Sequence, residues 1–287
     1  MLRFPQSLFR LLQVPVLTLI IPALAWSQAP TLTQGSLYLG KTAKQSKVVY
    51  NGKPVMVSDS GHFVIGFGRD AELNQSYTIH TPDGKEATHT LKLSSRKYDI
   101  QRIEGVEGKY VTPPESRLER IREDNRQIGK ARSIRTETTH FLQGFTKPAE
   151  GPVTGVYGSQ RYFNDKPRNP HYGLDYAAPV GAPVQAPASG KVVLAHPDMY
   201  YSGGTVIVDH GMGVNTTFLH LSKLLVKKGE VVKQGQKIAE VGATGRVTGA
   251  HLDWRVNWGN VRLDPALVME TFPALLEQSP AAGSGRP

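Results

Sequence analysis

Residues 171–184 read HYGLDYAAPVGAPV, and residues 242–254 read GATGRVTGAHLDW. Glycine, proline and alanine interrupt both stretches, which favours short strands joined by turns over helices. Between them, short apolar runs at 192–194, 205–208 and 216–219 lie among glycine, proline and aspartate residues. The C-terminal half of the chain is therefore predicted to form a β-rich domain.

Five side chains suited to metal chemistry recur along this half: His171, Asp175, His220, His251 and Asp253. Because residues i and i+2 of a strand face the same side, His251 and Asp253 are expected to project together into one cleft. Prolines flank His171 and Asp175, which favours a loop around an ion over a helix. Imidazole nitrogen and carboxylate oxygen are zinc ligands, and a catalytic zinc takes three protein ligands with one open position. The set predicts a metallohydrolase centre.

The two quoted stretches resemble the lysostaphin-type (LytM-like) zinc endopeptidases, which act on the peptidoglycan of bacterial cell walls. The family pattern is H-x-G-x-D-x-A-A-P-x-G-x-P-V, then Y-x-H-L on a strand, then G-x-T-G-x-x-T-G-x-H-x-H. Here the three blocks follow in that order within about residues 150–266, with Phe218 where tyrosine is common. The resemblance implies a mainly β peptidase domain that holds one Zn²⁺ per chain.

By position, the resemblance assigns His171 and Asp175 as two zinc ligands. It assigns His220 and His251 as the non-ligand histidines, which activate the attacking water or stabilise the oxyanion. The family's third ligand is a histidine, the last one of the H-x-H motif, whereas this chain has Asp253 at that position.

Asp253 leaves three interpretations open. Its carboxylate is a zinc ligand, and the added negative charge makes the bound water less acidic. Alternatively, the oxygen-rich ligand set favours another divalent ion such as Mn²⁺. Finally, the metal has been lost, and the domain binds cell wall or activates a partner amidase. Because every other metal-ligand and histidine position of the site is retained, we expect an active enzyme with Asp253 as the third metal ligand.

Composition indicates which partners and chemistries are compatible with the chain. It contains no cysteine, which excludes disulfides, thiolate metal ligands and a cysteine nucleophile. The formal net charge of +10 favours an anionic partner. No nucleic-acid motif accompanies the scattered basic residues, so we expect peptidoglycan as the partner and no nucleic acid. Another cell-wall protein is a further candidate partner.

Residues 1–27 have the form of a secretory signal peptide. Arg3 and Arg10 precede an apolar run at 11–25, which ends in small-x-small cleavage candidates. The run is short for a bilayer span. We therefore expect export to the periplasm and no transmembrane span after cleavage.

The region before the peptidase-like half is predicted to be a small β-sandwich-like domain. Asn51-Gly52 and Asp83-Gly84 each separate two strand-like segments, and such pairs favour type I′ hairpins. Another strand is expected at 62–67. Between 113 and 134, apolar residues recur at helical spacing among many charged ones, which predicts a charged helix. This helix either lies on one of the domains, or it is an arm that gates the cleft or meets a partner.

The fold class predicted overall is mainly β, with a small N-terminal β-sandwich-like domain, a charged helical connector and a C-terminal β-rich peptidase domain. The expected boundaries are a signal peptide at 1–27, an N-terminal β domain at 28–111, a connector at 112–148, the metallopeptidase domain at 149–272 and a disordered tail at 273–287.

The function predicted from these features is zinc-dependent hydrolysis of peptide bonds in peptidoglycan stems or cross-links during cell-wall remodelling. The alternative is a catalytically impaired module that binds cell wall or activates a partner amidase. Arg161 is a candidate for binding a carboxylate of the substrate near the cleft.

Overall fold

The structure, a computed structural model, describes residues 31–277 and is mainly β, as predicted. The predicted signal peptide lies outside the described residues. Within the part of the chain that the structure describes, no helix is long and apolar enough to cross a membrane.

The N-terminal part forms two small antiparallel sheets that share one apolar core. One sheet has the strand order β3-β2-β5-β6, and the other pairs β1 with β4. Val48, Ile79 and Tyr77 of the first sheet pack with Phe63 and Ile65 of the second, so the predicted sandwich-like arrangement is present. The strands are β1 (Leu37–Lys41), β2 (Lys47–Tyr50), β3 (Lys53–Val55), β4 (His62–Gly66), β5 (Asn74–His80) and β6 (Glu86–Lys92).

The two predicted hairpins differ. Asn51 and Gly52 both take positive φ, 48° and 69°, and join β2 to β3 in the predicted two-residue turn. The hairpin around Asp83-Gly84 is present, because β5 pairs with β6, but its two-residue turn was wrongly predicted, since the longer loop 81–85 joins the strands. In that loop Gly84 has a positive φ of 82°, and Thr81 N donates to Lys85 O over 2.9 Å.

The connector is helical in short pieces. Helix α1 (Gly108–Val111) ends just before the predicted connector, and α2 (Leu118–Arg132) begins after Pro113 and Pro114. Two 3-10 turns lie at Glu115–Arg117 and His140–Gln143. Ile128 and Ala131 of α2 pack on Val193, Met199 and Ile207 of the C-terminal sheet. The helix therefore lies on the C-terminal domain.

The C-terminal part is built on a ten-stranded sheet with the main strand order β16-β13-β14-β15-β18-β11-β8. In addition, β17 pairs with β15 and β12, and β19 pairs with β18. The sheet consists of β8 (Val153–Gly155), β11 (Leu174–Ala177), β12 (Pro183–Gln185), β13 (Gly190–Met199), β14 (Gly203–Gly211), β15 (Val214–Leu224), β16 (Val231–Val232), β17 (Lys237–Val241), β18 (His251–Trp258) and β19 (Val261–Leu263).

Two features cross the expected boundaries. Strand β7 (Ile100–Ile103), expected in the N-terminal domain, pairs in parallel with β9 (Gln160–Phe163), which in turn pairs with β10 (Lys166–Pro167). Helix α3 (Pro265–Glu277) continues past residue 272, so the start of the predicted disordered tail is helical. Val268 and Phe272 anchor this helix in the core. Residues 278–287 lie outside the described residues.

Candidate metal centre and active site

Three of the predicted site residues form a buried cluster, and the pairing of two strands places two of them. Asp175 on β11 lies directly opposite Asp253 on β18 in the antiparallel register. His171 precedes β11, and its backbone N–H donates to Ser159 O over 2.8 Å. His171 Nε2 lies 3.0 Å from Asp175 Oδ1 and 3.5 Å from Asp253 Oδ2. The loop expected around both His171 and Asp175 therefore holds only His171, because Asp175 belongs to a strand.

The cluster fits a metal ion because the neutral His171 ring carries its proton on Nδ1, which leaves Nε2 free to bind. His171 Nδ1 lies 3.2 Å from the carbonyl oxygen of Val156, which only accepts, so Nδ1 carries the proton in the neutral ring. Nε2 then presents a lone pair to Asp175 Oδ1. Both atoms are buried and neither has a hydrogen-bond partner. Two acceptors this close are stabilised by a positive charge between them, which either a metal ion or a proton on His171 Nε2 supplies.

Distances and electrostatics agree with that requirement. The candidate ligand atoms of His171, Asp175 and Asp253 all lie within 4.8 Å of one another. Tetrahedral zinc with N and O ligands separates neighbouring ligand atoms by about 3.4 Å. Burial lowers the pKa of His171, but the Asp253 and Asp175 carboxylates outweigh burial and raise the pKa overall. The cluster thus attracts positive charge.

Each carboxylate of the cluster has an arginine partner. Asp175 Oδ2 accepts from Arg161 Nη2 over 2.8 Å, which leaves Oδ1 free. Asp253 accepts from Arg255 at both oxygens, from Nε to Oδ1 over 2.9 Å and from Nη2 to Oδ2 over 2.6 Å. Burial would raise the pKa of Asp253, but the charge of Arg255 outweighs it and holds this pKa well below its usual range. Asp253 is therefore ionised.

His220 and His251 lie side by side next to the cluster, with ring centroids 4.9 Å apart. His220 takes a φ of 65°, a left-handed conformation that a non-glycine residue keeps only when its surroundings impose it. Its backbone N–H donates to Ser202 O over 2.8 Å, at a register shift between β14 and β15. This irregularity fixes the direction of the imidazole.

The hydrogen bonds of these two rings define their neutral tautomers. His220 Nδ1 lies 2.8 Å from Thr244 O, and His251 Nδ1 lies 2.9 Å from Gly249 O. Carbonyl oxygens only accept, so each Nδ1 is the protonated nitrogen and each Nε2 holds a lone pair. Burial lowers the pKa of His220 to about 4, so this ring is neutral near pH 7.

Two glycines leave the space that the carboxylates occupy. A Cβ at Gly155 would lie 2.1 Å from Asp175 Oδ2, and a Cβ at Gly173 would lie 2.2 Å from Asp253 Oδ1. Gly173 is the glycine of the H-x-G-x-D block. The glycine of that block therefore leaves room for Asp253, which lies on another strand 80 residues later.

A cavity of about 400 Å³ opens over the two histidines and Asp175. Gln101, Arg102 and Ile103 of β7 form part of its wall, together with Arg246. The guanidinium of Arg246 lies 4.5 Å from the ring centre of Tyr201 and 4.9 Å from that of Phe163. Among the described residues, no acidic side chain pairs with Arg246. Arg246 therefore contributes a positive charge to the cavity wall.

Sequence reasoning did not identify Arg255, Arg246 or the β7 segment as parts of the site. Arg255 follows Asp253 at i+2, and this spacing on a strand was a usable signal. Arg161 does lie at the cavity, but its guanidinium is engaged by Asp175. Leu252, which lies between His251 and Asp253 on the strand, is fully buried in the core.

Comparisons with known proteins agree on the nature of this domain. Residues 169–265 match the sequence model of peptidase family M23. The chain is 34% identical over 190 residues to peptidoglycan DD-endopeptidase ShyB of Vibrio cholerae, which covers 65% of this chain and 39% of that protein. It is 48% identical over 89 residues to peptidoglycan DD-endopeptidase ShyA of the same organism, which covers 30% and 20%.

The fold also has a counterpart among solved structures. A protein from Pseudomonas aeruginosa described as an M23 peptidase superposes with a TM-score of 0.65 at 29% identity, and the match covers 83% of this chain and 95% of that one. The chain spans less than half the length of the curated relatives ShyB and ShyA.

Proposed function

We propose that the protein is a zinc-dependent endopeptidase that acts on peptidoglycan, because residues 169–265 match the sequence model of peptidase family M23. Its reaction is hydrolysis of peptide bonds in stems or cross-links during cell-wall remodelling in the periplasm. The observation that carries the proposal is the buried cluster of His171, Asp175 and Asp253, with two acceptor atoms facing each other at 3.0 Å.

His171 Nε2, Asp175 Oδ1 and Asp253 Oδ2 would hold one zinc ion per chain. When bound, zinc polarises the scissile carbonyl and lowers the pKa of a water molecule. The two carboxylate ligands also suit other divalent ions, so Mn²⁺ is a second candidate. The chain's own residues supply the proton transfers.

His220 and His251 are the proposed proton carriers. In the tautomers described above, each ring can accept a proton at Nε2 from the attacking water. The resulting Nε2–H then donates to the oxyanion or to the leaving amine. The carbonyl oxygens of Thr244 and Gly249 stabilise both protonated rings, because each accepts the Nδ1–H throughout.

The cavity wall suits an anionic peptide. Arg246 and Arg102 line it, and Arg246 has no acidic partner among the described residues, so its charge is available to a carboxylate of the substrate. Peptidoglycan stems carry free carboxylates. The net charge of +10 acts in the same direction over a longer range.

The experiment uses the full mature chain with purified peptidoglycan. We expect soluble fragments whose masses correspond to cleaved peptide bonds, loss of release with a chelator, and recovery when zinc is restored. H171A should abolish release, whereas H89A, at an exposed histidine of the N-terminal sheet, should not change it. About one divalent ion per chain should remain after dialysis.

A protein that binds peptidoglycan but holds no metal and releases no fragments would contradict the proposal. The Arg255 and Arg161 partners would then balance the two carboxylates without an ion. That result would favour the impaired module that binds cell wall or activates an amidase.

A further inference from the structure

Asp253 and Arg255 form a closely matched pair at the proposed metal centre. Both lie on β18 at i and i+2 and project from the same face. The guanidinium donates to both carboxylate oxygens, over 2.9 and 2.6 Å, and the carboxylate is 1% exposed. A planar, bidentate pair of this kind fixes the orientation of both groups.

The pair still leaves Asp253 able to bind an ion. An ionised carboxylate has about four lone-pair positions, and Arg255 uses one on each oxygen. Oδ2, which accepts from Nη2, also faces His171 Nε2 at 3.5 Å. The arginine therefore turns Oδ2 toward the cluster without filling it.

Charge gives the pair its significance. A histidine at position 253 would be a neutral ligand, and Asp253 adds one negative charge. Arg255 adds one positive charge directly against it. Together the two side chains have no net charge, like a single neutral ligand. The negative charge of Asp253 and the positive charge of Arg255 therefore cancel within a few ångströms.

We propose that Arg255 is a positioning residue of the metal centre, which orients Asp253 Oδ2 and offsets its charge so that the pair replaces a neutral histidine ligand. This inference rests on the proposed metal-binding function. It implies that position 253 cannot be changed to histidine alone, because Arg255 would then be a partly buried cation without a counter-charge next to a divalent ion.

A double-mutant cycle on the full chain tests this coupling, with zinc affinity as the readout. Affinity is measured by competition with a chromophoric chelator, and thermal melting of the metal-free protein shows whether each variant is folded. We expect D253H to weaken zinc binding about tenfold or more, and D253H/R255Q to recover about tenfold, because contacting charged groups couple at this scale. R255Q alone should melt at a lower temperature and bind zinc several-fold more weakly than wild type, because Asp253 Oδ2 is then no longer held toward His171.

D253H/R255K is the matched control, because lysine keeps the charge at position 255. It should remain as weak as D253H. If D253H does not fold, the isosteric D253N with the same two changes at position 255 gives a second cycle with the same expected order.

Two results would overturn the inference. One is a D253H/R255Q variant that binds zinc no better than D253H, which would leave Arg255 with a packing role only. The other is a D253H/R255K variant that recovers as well as D253H/R255Q. A wild-type protein that binds no divalent ion would instead refute the proposed function and this inference with it, so the failures are distinguishable.

Discussion

Replacing Gly173 with alanine tests how the fold makes room for Asp253. The backbone at Gly173 does not have a left-handed φ, so alanine is compatible with its conformation. The added Cβ would nevertheless meet Asp253 Oδ1 at 2.2 Å, Trp254 O at 2.9 Å and Arg255 Cγ at 3.0 Å. Since Trp254 O belongs to the backbone of β18, the carboxylate is the group that has to move.

The size of the effect follows from the contacts that this movement breaks. Oδ1 has to retreat from 2.2 Å to at least 3.0 Å from the new Cβ. This displacement breaks the 2.9 Å hydrogen bond from Arg255 Nε. A hydrogen bond to a charged group contributes about 1.5–3 kcal/mol, and a domain of this size loses about 2–4 °C in melting temperature per kcal/mol. We expect G173A to melt about 3–12 °C lower and to retain less metal.

The assay is thermal unfolding followed by circular dichroism, together with metal content after dialysis. G249A is the matched control, because it lies two residues from His251, has no left-handed φ, and its Cβ would meet nothing within 4 Å. It should behave like wild type. A G173A protein with wild-type melting temperature and metal content would refute the close packing of Gly173 against Asp253.

Three further predictions concern other parts of the molecule. Burial lowers the pKa of His210 from 6.5 to about 4, so the unfolded chain binds the extra proton and stability falls as the pH drops from about 6.5 to 4. Urea titrations at pH 7 and 4.5 should show a loss of up to about 3 kcal/mol in the free energy of unfolding. The H210Q variant should lack this loss. R246Q should raise KM for stem peptides with a free carboxylate several-fold while leaving kcat and the KM for amidated peptides nearly unchanged, as steady-state kinetics would reveal. D124A removes the buried acceptor of Tyr200 N (2.7 Å) and should lower the free energy of unfolding by about 1–3 kcal/mol, measured by chemical denaturation; an unchanged midpoint would show that this contact does not hold α2 on the sheet.

Much of the fold could be predicted from local patterns. The Asn51-Gly52 turn formed as expected, because both residues tolerate positive φ and the strands around them alternate. The Asp83-Gly84 turn did not, since a dipeptide preference of this kind is weak against the register that β5 and β6 adopt. Likewise, nothing local in β7 indicates a parallel partner about 60 residues later, because pairing at a distance depends on the packed sheet.

The amino-acid sequence by itself determined which side chains carry the chemistry: two histidine–aspartate blocks, a lone histidine between them, and an aspartate where a histidine was expected. Their types and spacings are local properties that survive without coordinates. Only the tertiary structure decided how they meet. Strand register places Asp175 opposite Asp253. The left-handed backbone at His220 sets the direction of its imidazole, and Gly173 leaves space for a carboxylate from another strand. The pairing of Asp253 with Arg255 also required the structure, because charge compensation depends on distances of a few ångströms that a sequence does not contain.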